Sequence, residues 1–287
     1  MIDYSALQLL EVASSTAPAT MMISSAVRSC EGGKLCGDTA FSFALDSGRT
    51  AIVVIDVAGH GAARSTLSST LANEIASALR RDGSPAAALG RAHEVLRASD
   101  DEIPYAVAFV ATVHPILRTI VYSSAGHDVA FTLADGGGTR NLAPTGPMLG
   151  IPLANHACDA VFTLGPRETL VIATDGISDS RPTGSRQFFG AVGTALAVAR
   201  SLRVGSDPAQ AVLEAAYAHE GGHQADDVGV VVARFGPLQR HSVSDHRYRA
   251  RSIRYDDARP TKLPYLCNLG QYGEYRIKAI ANGSASH

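Results

Sequence analysis

The chain has 287 residues and a mass of 29.9 kDa. That is enough for one large domain or two small ones, with a core that needs no disulfide staples. Apolar residues make up 46% and charged residues 18%, and the formal net charge is −2. This balance excludes wholesale disorder and leaves the whole chain without a strong nucleic-acid footprint. The average hides a split. Residues 1–236 carry 16 Lys and Arg against 23 Asp and Glu, whereas residues 237–287 carry 9 against 4. An acidic body is joined to a basic tail. The four cysteines, Cys30, Cys36, Cys158 and Cys267, form no C-x-x-C pair and have no His at zinc-finger spacing. A reducing compartment is the simpler reading. No basic-then-apolar leader opens the chain, and no uncharged apolar run reaches the roughly 18 residues of a membrane span. A soluble, cytoplasmic protein is expected.

In chain order, a hairpin comes first. Residues 39–45 alternate small or polar with apolar side chains, Asp46-Ser47-Gly48-Arg49 is a turn, and Thr50 to Ile55 reads as a buried strand. Leu67, Leu71, Ile75, Ala78 and Leu79 keep one apolar stripe and predict a helix over about 62–80. Ser84-Pro85, an N-cap followed by Pro at N1, opens a second helix that carries Leu89, Ala92 and Leu96 inward. Short apolar runs at 105–113, 119–123, 129–133, 161–164 and 169–173 read as strands. Helices return at about 190–203 and 207–219, the second behind the N-cap pair Asp207-Pro208, and a strand at 228–233 closes the body. Regular β-α alternation is absent. The order predicts an α+β architecture in which antiparallel sheets are covered by helices. After Phe235-Gly236-Pro237 the periodicity stops. Residues 1–236 are read as the folded domain and 237–287 as an irregular basic tail.

Four segments place an Asp at the end of an apolar strand: Gly37-Asp38, Asp56-Val57-Ala58-Gly59-His60-Gly61, Thr174-Asp175-Gly176 and Asp226-Asp227-Val228. Paired positions of an antiparallel hairpin share a constant index sum. A turn centred on Ser47-Gly48 gives about 94 or 95, and Asp38 with Asp56 gives 94. The two carboxylates should therefore lie opposite each other at the open end of the hairpin. Like charges so close resist ionising together, and a divalent cation removes that penalty. Each Asp taken alone also fits an ordinary turn, where its side chain bonds the local backbone.

These segments, together with Ser124-Ala125-Gly126-His127 and Gly146-Pro147-Met148-Leu149-Gly150, resemble the SpoIIE/RsbU-like branch of the PPM metal-dependent serine/threonine protein phosphatases over about residues 8–235. Cys36-Gly37-Asp38-Thr39 is closer to the small RsbX-like members than to the Gly-Gly-Asp form common in RsbU-like sequences. The resemblance implies an α-β-β-α sandwich with two Mn²⁺ or Mg²⁺ ions at one edge. It carries over Asp38, Asp56, the Val57 carbonyl, Asp175 and Asp226 as metal ligands, with Asp56 bridging both ions. Whether Asp227 shares the role of Asp226 stays open. The implied chemistry is in-line attack on a phosphoserine or phosphothreonine by a water activated between the ions. His60 is a candidate general acid for the leaving alkoxide, or a loop residue that shapes the turn. His127 is read as structural. The implied partner is a phosphorylated STAS-domain protein, either an anti-sigma-factor antagonist or a stressosome component, in bacterial partner switching. With about seven residues ahead of the match, regulation is expected from a partner, from expression or from the tail. A non-catalytic binding module on the same fold is the alternative, and a small-molecule phosphohydrolase a weaker one.

Overall fold

The computed structural model describes residues 21–30, 36–59, 61–99, 105–152, 157–165 and 167–236, together with the backbone of Tyr275–Arg276. The elements in chain order are β1 (Met21–Arg28), β2 (Thr39–Ala44), β3 (Thr50–Val57), α1 (Ala62–Asp82), α2 (Pro85–Arg97), β4 (Ala106–His114), β5 (Thr119–Ala125), β6 (Ala130–Leu133), β7 (Gly138–Asn141), β8 (Ala160–Thr163), β9 (Thr169–Ala173), α3 (Asp175–Ser178), α4 (Gly190–Val204), α5 (Pro208–His219), β10 (Val228–Phe235) and β11 (Tyr275–Arg276). They form two antiparallel sheets, one ordered β2-β3-β4-β5-β8 and the other β1-β10-β9-β6-β7-β11.

Period-two alternation along the central strands sorts side chains into separate layers. In β3, Val53, Ile55 and Val57 face the helices and join Leu71, Ile75, Leu89 and Leu96 of α1 and α2. Ile52 and Val54 point the other way and meet Leu170, Ile172, Val231 and Ala233 of the second sheet. In β10 the next residues along, Val230 and Val232, face outward onto Val198, Val212 and Leu213 of α4 and α5. Three apolar layers therefore separate four tiers, which is the expected α-β-β-α sandwich.

Local chemistry explains the helix starts. The Ser84 hydroxyl accepts the Ala87 N–H at 3.1 Å and donates to Asp159 at 2.9 Å. Asp207 accepts the Gln210 N–H at 2.8 Å and the Ser24 hydroxyl at 2.7 Å, so one cap also ties α5 to β1. Among the described residues, no helix is long and apolar enough to cross a membrane.

The structure adds elements that local pattern does not announce. β1 pairs with β10 in the register Met21 to Phe235, and Ser24-Ser25 interrupts its alternation. β7 is a further strand without an apolar run to mark it, and α3 turns Asp175 from a strand terminus into the first residue of a short helix. Cys36 is in no disulfide, whereas Cys158 is disulfide-bonded, which departs from the reading of a reducing compartment. Within the segment read as an irregular tail, Tyr275–Arg276 pairs with Thr139 and Gly138 at the sheet edge. The rest of 237–287 lies outside the described residues.

One buried carboxylate braces the β6-β7-β9 corner. Glu168 accepts from the Thr132 hydroxyl, the Arg140 guanidinium and the Gly165 N–H. Burial alone would raise its pKa, but these donors overcome it and hold Glu168 below the usual glutamate range. A depressed carboxylate stabilises the fold above its unfolded pKa and loses that contribution as pH falls through the folded one. Glu168→Gln should therefore cost roughly 1–2 kcal/mol near neutrality, the Arg140 side being partly screened by solvent. Urea unfolding should show that difference shrinking on acidification.

Candidate metal centre

Antiparallel pairing brings the four Asp segments to one end of the sandwich. β2 and β3 pair with Thr39 opposite Ile55, and continuing that register puts Asp38 across from Asp56. On the other sheet β9 and β10 pair with Ala173 opposite Val230. The end of β9, leading into Asp175, thus lies beside the start of β10, which follows Asp226-Asp227.

The carboxylates there feel one another. Asp38 is only 5% exposed, and its Oδ2 has no hydrogen-bond partner. Burial pushes Asp38 up to about 8. The Thr174 side chain, by hydrogen-bonding it, works against the rise, and Asp227, Asp226 and Asp175 add to it. Burial likewise pushes Asp56 up to about 9, reinforced by Asp38, by a hydrogen-bonded contact with Asp175 and by Asp226. Asp175 and Asp226 are exposed at the rim. The donor set is therefore all hard oxygen, which suits Mg²⁺ or Mn²⁺. Among the described residues, no three His, Cys, Asp or Glu side chains close a cage around one ion. Open sites of this kind fit small divalent ions, which keep several waters and take only one or two carboxylates each. The orphaned Asp38 oxygen is the feature of this structure that fits a cation.

Asp227 plays a different part from Asp226. It is 4% exposed, and its two oxygens accept the Cys30 N–H at 2.8 Å and the Gly37 N–H at 2.5 Å. Both oxygens are engaged in holding backbone on either side of the 31–35 segment. Asp226 Oδ1 itself accepts the Asp227 N–H at 2.8 Å. The glycines beside the aspartates are set by close approach. A Cβ at Gly176 would lie 2.0 Å from the Asp227 carbonyl oxygen, and one at Gly37 would lie 3.1 Å from Gly59 O and 3.4 Å from Val57 O. Val57 itself is buried, and its carbonyl faces this same junction. His60 lies outside the described residues.

The remaining motifs act as braces. Gly126 N–H donates to Gly146 O at 3.0 Å, the Ser124 hydroxyl donates to His127 O at 2.7 Å, and Leu149 N–H donates to Ala106 O at 2.8 Å. These bonds support β4 where Ala106 pairs with Val57. The His127 ring is buried beside Phe109, and neither nitrogen completes a hydrogen bond. Burial pulls its pKa down to about 4, and the nearby Ala173 backbone offsets this only in part. A neutral packed imidazole is structural, as the sequence suggested. Burial also pushes the Cys36 thiol far up, helped by Asp38 and Asp227, so it is a poor nucleophile. A cleft of about 1080 Å³ opens between the edge strands β1 and β2 and reaches Cys36 and Asp38.

Raised carboxylate pKa values carry a sign. In the metal-free protein Asp38 and Asp56 keep protons that the unfolded chain releases near 3.8. Their contribution is complete below that pH and is lost as pH rises through about 8 to 9. The melting temperature of the metal-free protein should therefore fall across this window. Asp38→Asn should flatten the fall, and Mn²⁺ should restore stability at the alkaline end. A melting temperature that climbs steadily over the same range in EDTA would contradict this electrostatic account.

The family model described as Stage II sporulation protein E (SpoIIE) matches residues 46–236. No curated protein sequence matches the chain. Among solved structures, the SiaA-PP2C domain of Pseudomonas aeruginosa is 22% identical with a TM-score of 0.62, over 75% of this chain and 85% of that one. The PP2C phosphatase domain with a regulatory fragment of SpoIIE from Bacillus subtilis is 16% identical with a TM-score of 0.67, over 77% and 65%. RsbX in complex with magnesium is 14% identical with a TM-score of 0.55, over 78% and 98%. These three likenesses speak for the fold, and the family model, which spans more than half of the sequence, speaks for descent. The chain belongs to the SpoIIE family of PP2C-type protein phosphatases, enzymes that use metal ions, and is itself a protein phosphatase.

Proposed function

We propose that the aspartate cluster is a two-ion Mn²⁺ or Mg²⁺ site and that the enzyme hydrolyses phosphoserine or phosphothreonine on a STAS-domain protein in a partner-switching pathway. The observation that carries the reading is the meeting of Asp38, Asp56, Asp175 and Asp226 at one sandwich end, with a buried, unpartnered oxygen on Asp38. Asp38, Asp56, the Val57 carbonyl, Asp175 and Asp226 would hold the ions. Divalent ions bound there supply positive charge that acidifies water and offsets charge on phosphoryl oxygens.

The chain's own residues do the rest. Asp56 feels both Asp38 and Asp175, so it would be the carboxylate to serve both ions. Asp227 keeps the Gly37 backbone against the site and so holds Asp38 in place. Thr174 favours ionised Asp38, the form a cation needs. The STAS-domain substrate is carried over from the motif resemblance to SpoIIE/RsbU-like and RsbX-like enzymes. A cytoplasmic setting belongs to that same reading.

Asp56→Asn removes the carboxylate that would bridge the two ions. It should lower Mn²⁺-dependent hydrolysis of p-nitrophenyl phosphate at least about 100-fold. The metal-free variant should melt no lower than wild type near pH 8, because a strained, desolvated carboxyl is gone. Near-wild-type turnover by Asp56→Asn at saturating Mn²⁺ would sink the two-ion assignment. Isothermal calorimetry with Mn²⁺ reads the same site without relying on turnover.

A further inference from the structure

Helix α4 shows solvent a face that suits a partner. Its inward side chains Thr194, Ala195, Val198 and Ser201 are buried. Its outward stripe, at spacings of four, four and three, is Val192, Leu196, Arg200 and Arg203. Val192 is 59% exposed and Leu196 55%. Phe188, just ahead of the helix, is 51% exposed, and the Arg181 guanidinium lies 4.7 Å from its ring centre. Three large apolar groups in a row are more than scattered surface hydrophobes.

Charge marks the same region. Residues 180–204 contain four arginines, Arg181, Arg186, Arg200 and Arg203, and no Asp or Glu, although residues 1–236 as a whole have an acidic excess. The loop carrying the first two is held to the metal-centre end of the fold. The Ser180 hydroxyl donates to Gly176 O at 2.8 Å, and Phe189 N–H donates to Ser180 O at 2.8 Å. On its other side His219 Nε2 lies 2.9 Å from Gln187 O, and the Phe189 and His219 rings sit 5.6 Å apart. The loop ahead of α4 is therefore tied by hydrogen bonds to α3, the short helix that opens at Asp175.

We infer that Phe188 and the outward stripe of α4, rimmed by these arginines, form the docking surface for an acidic phosphoprotein substrate. The inference rests on the phosphatase reading above and adds the surface that selects the protein. Apolar contacts give the patch its anchor, and the arginines complement an acidic partner and steer its approach. Docking on a surface whose leading loop is hydrogen-bonded to α3 would bring the partner's phosphate to the aspartate cluster, whereas a small phosphate ester has no surface to dock.

The test compares phosphorylated β-casein, an acidic phosphoprotein, with p-nitrophenyl phosphate, using the full chain at saturating Mn²⁺. Arg200→Glu/Arg203→Glu should raise KM for phosphocasein about tenfold, with p-nitrophenyl phosphate turnover held within about twofold. Leu196→Ala should raise the same KM about threefold. The reversed pair should also flatten the rise of KM with salt. Arg91→Glu/Arg97→Glu, exposed on α2, controls for net charge and should leave KM in place. Equal losses on both substrates, no change with phosphocasein, or an equal effect from the α2 pair would each overturn the docking surface. So would a wild type that cleaves p-nitrophenyl phosphate but not phosphocasein. A wild type that cleaves neither, with Mn²⁺ bound, would instead bring down the phosphatase reading, and the inference with it.

Discussion

Asp38 and Asp56 face each other across the first hairpin where too little water reaches them to keep both ionised. That repulsion is the constraint around which the rest of the molecule is arranged. A chain free to relax would let the two strands fray at this end and expose the carboxylates. This one cannot, because β3 is buried along most of its length, pinned between β2 and β4 and packed on both faces. Three apolar layers supply the stability that holds two unwilling groups together. A group in that position keeps its proton when bare and would ionise if a cation offset its charge.

Two neighbouring aspartates illustrate how the same residue type serves opposite ends. Asp227 is satisfied, each oxygen taking a backbone N–H from the far end of the chain. Asp38 keeps an oxygen with no protein donor at all. The first is a clamp, and the second leaves a buried oxygen without a donor. Glycines complete the division of labour. Gly176 lets α3 press on the Asp227 carbonyl, and Gly126, at φ 68, lets its turn lie against Met148. The glycine motifs thus shape the ground on which the carboxylates stand.

The acidic end and the arginine-lined helix are physically one device. The hydrogen-bonded path from Gly176 through Ser180 to Phe189 couples the start of α3 to the start of α4. A phosphoprotein carries negative charge on its surface as well as on its phosphate, and a wholly acidic enzyme would repel it. Placing four arginines in one stretch of an otherwise acidic body answers that problem locally.

Much of this was legible before folding because it depends on period, spacing and turn chemistry. Strand alternation, the stripes of α1 and α2, the caps at Ser84 and Asp207 and the hairpin index sum are local facts, and each has its counterpart in the structure. The gathering of Asp175 and Asp226 with the hairpin pair was available only through resemblance, since nothing local says that β9 and β10 finish at the same end as β2 and β3. β1 escaped because its strand character comes from pairing with β10, some two hundred residues away, rather than from its own serine-broken pattern. The distinction between Asp226 and Asp227 escaped because it lies in which backbone N–H groups reach each carboxylate. The exposed stripe of α4 escaped too, because an apolar residue in a helix reads as core until the opposite face is seen to be the buried one. Sequence by itself determined most of the elements, the hairpin register and the kinds of donor atom. Tertiary structure decided which carboxylates are desolvated, which are already satisfied and which apolar face is left to solvent, because those properties belong to surroundings assembled from distant parts of the chain.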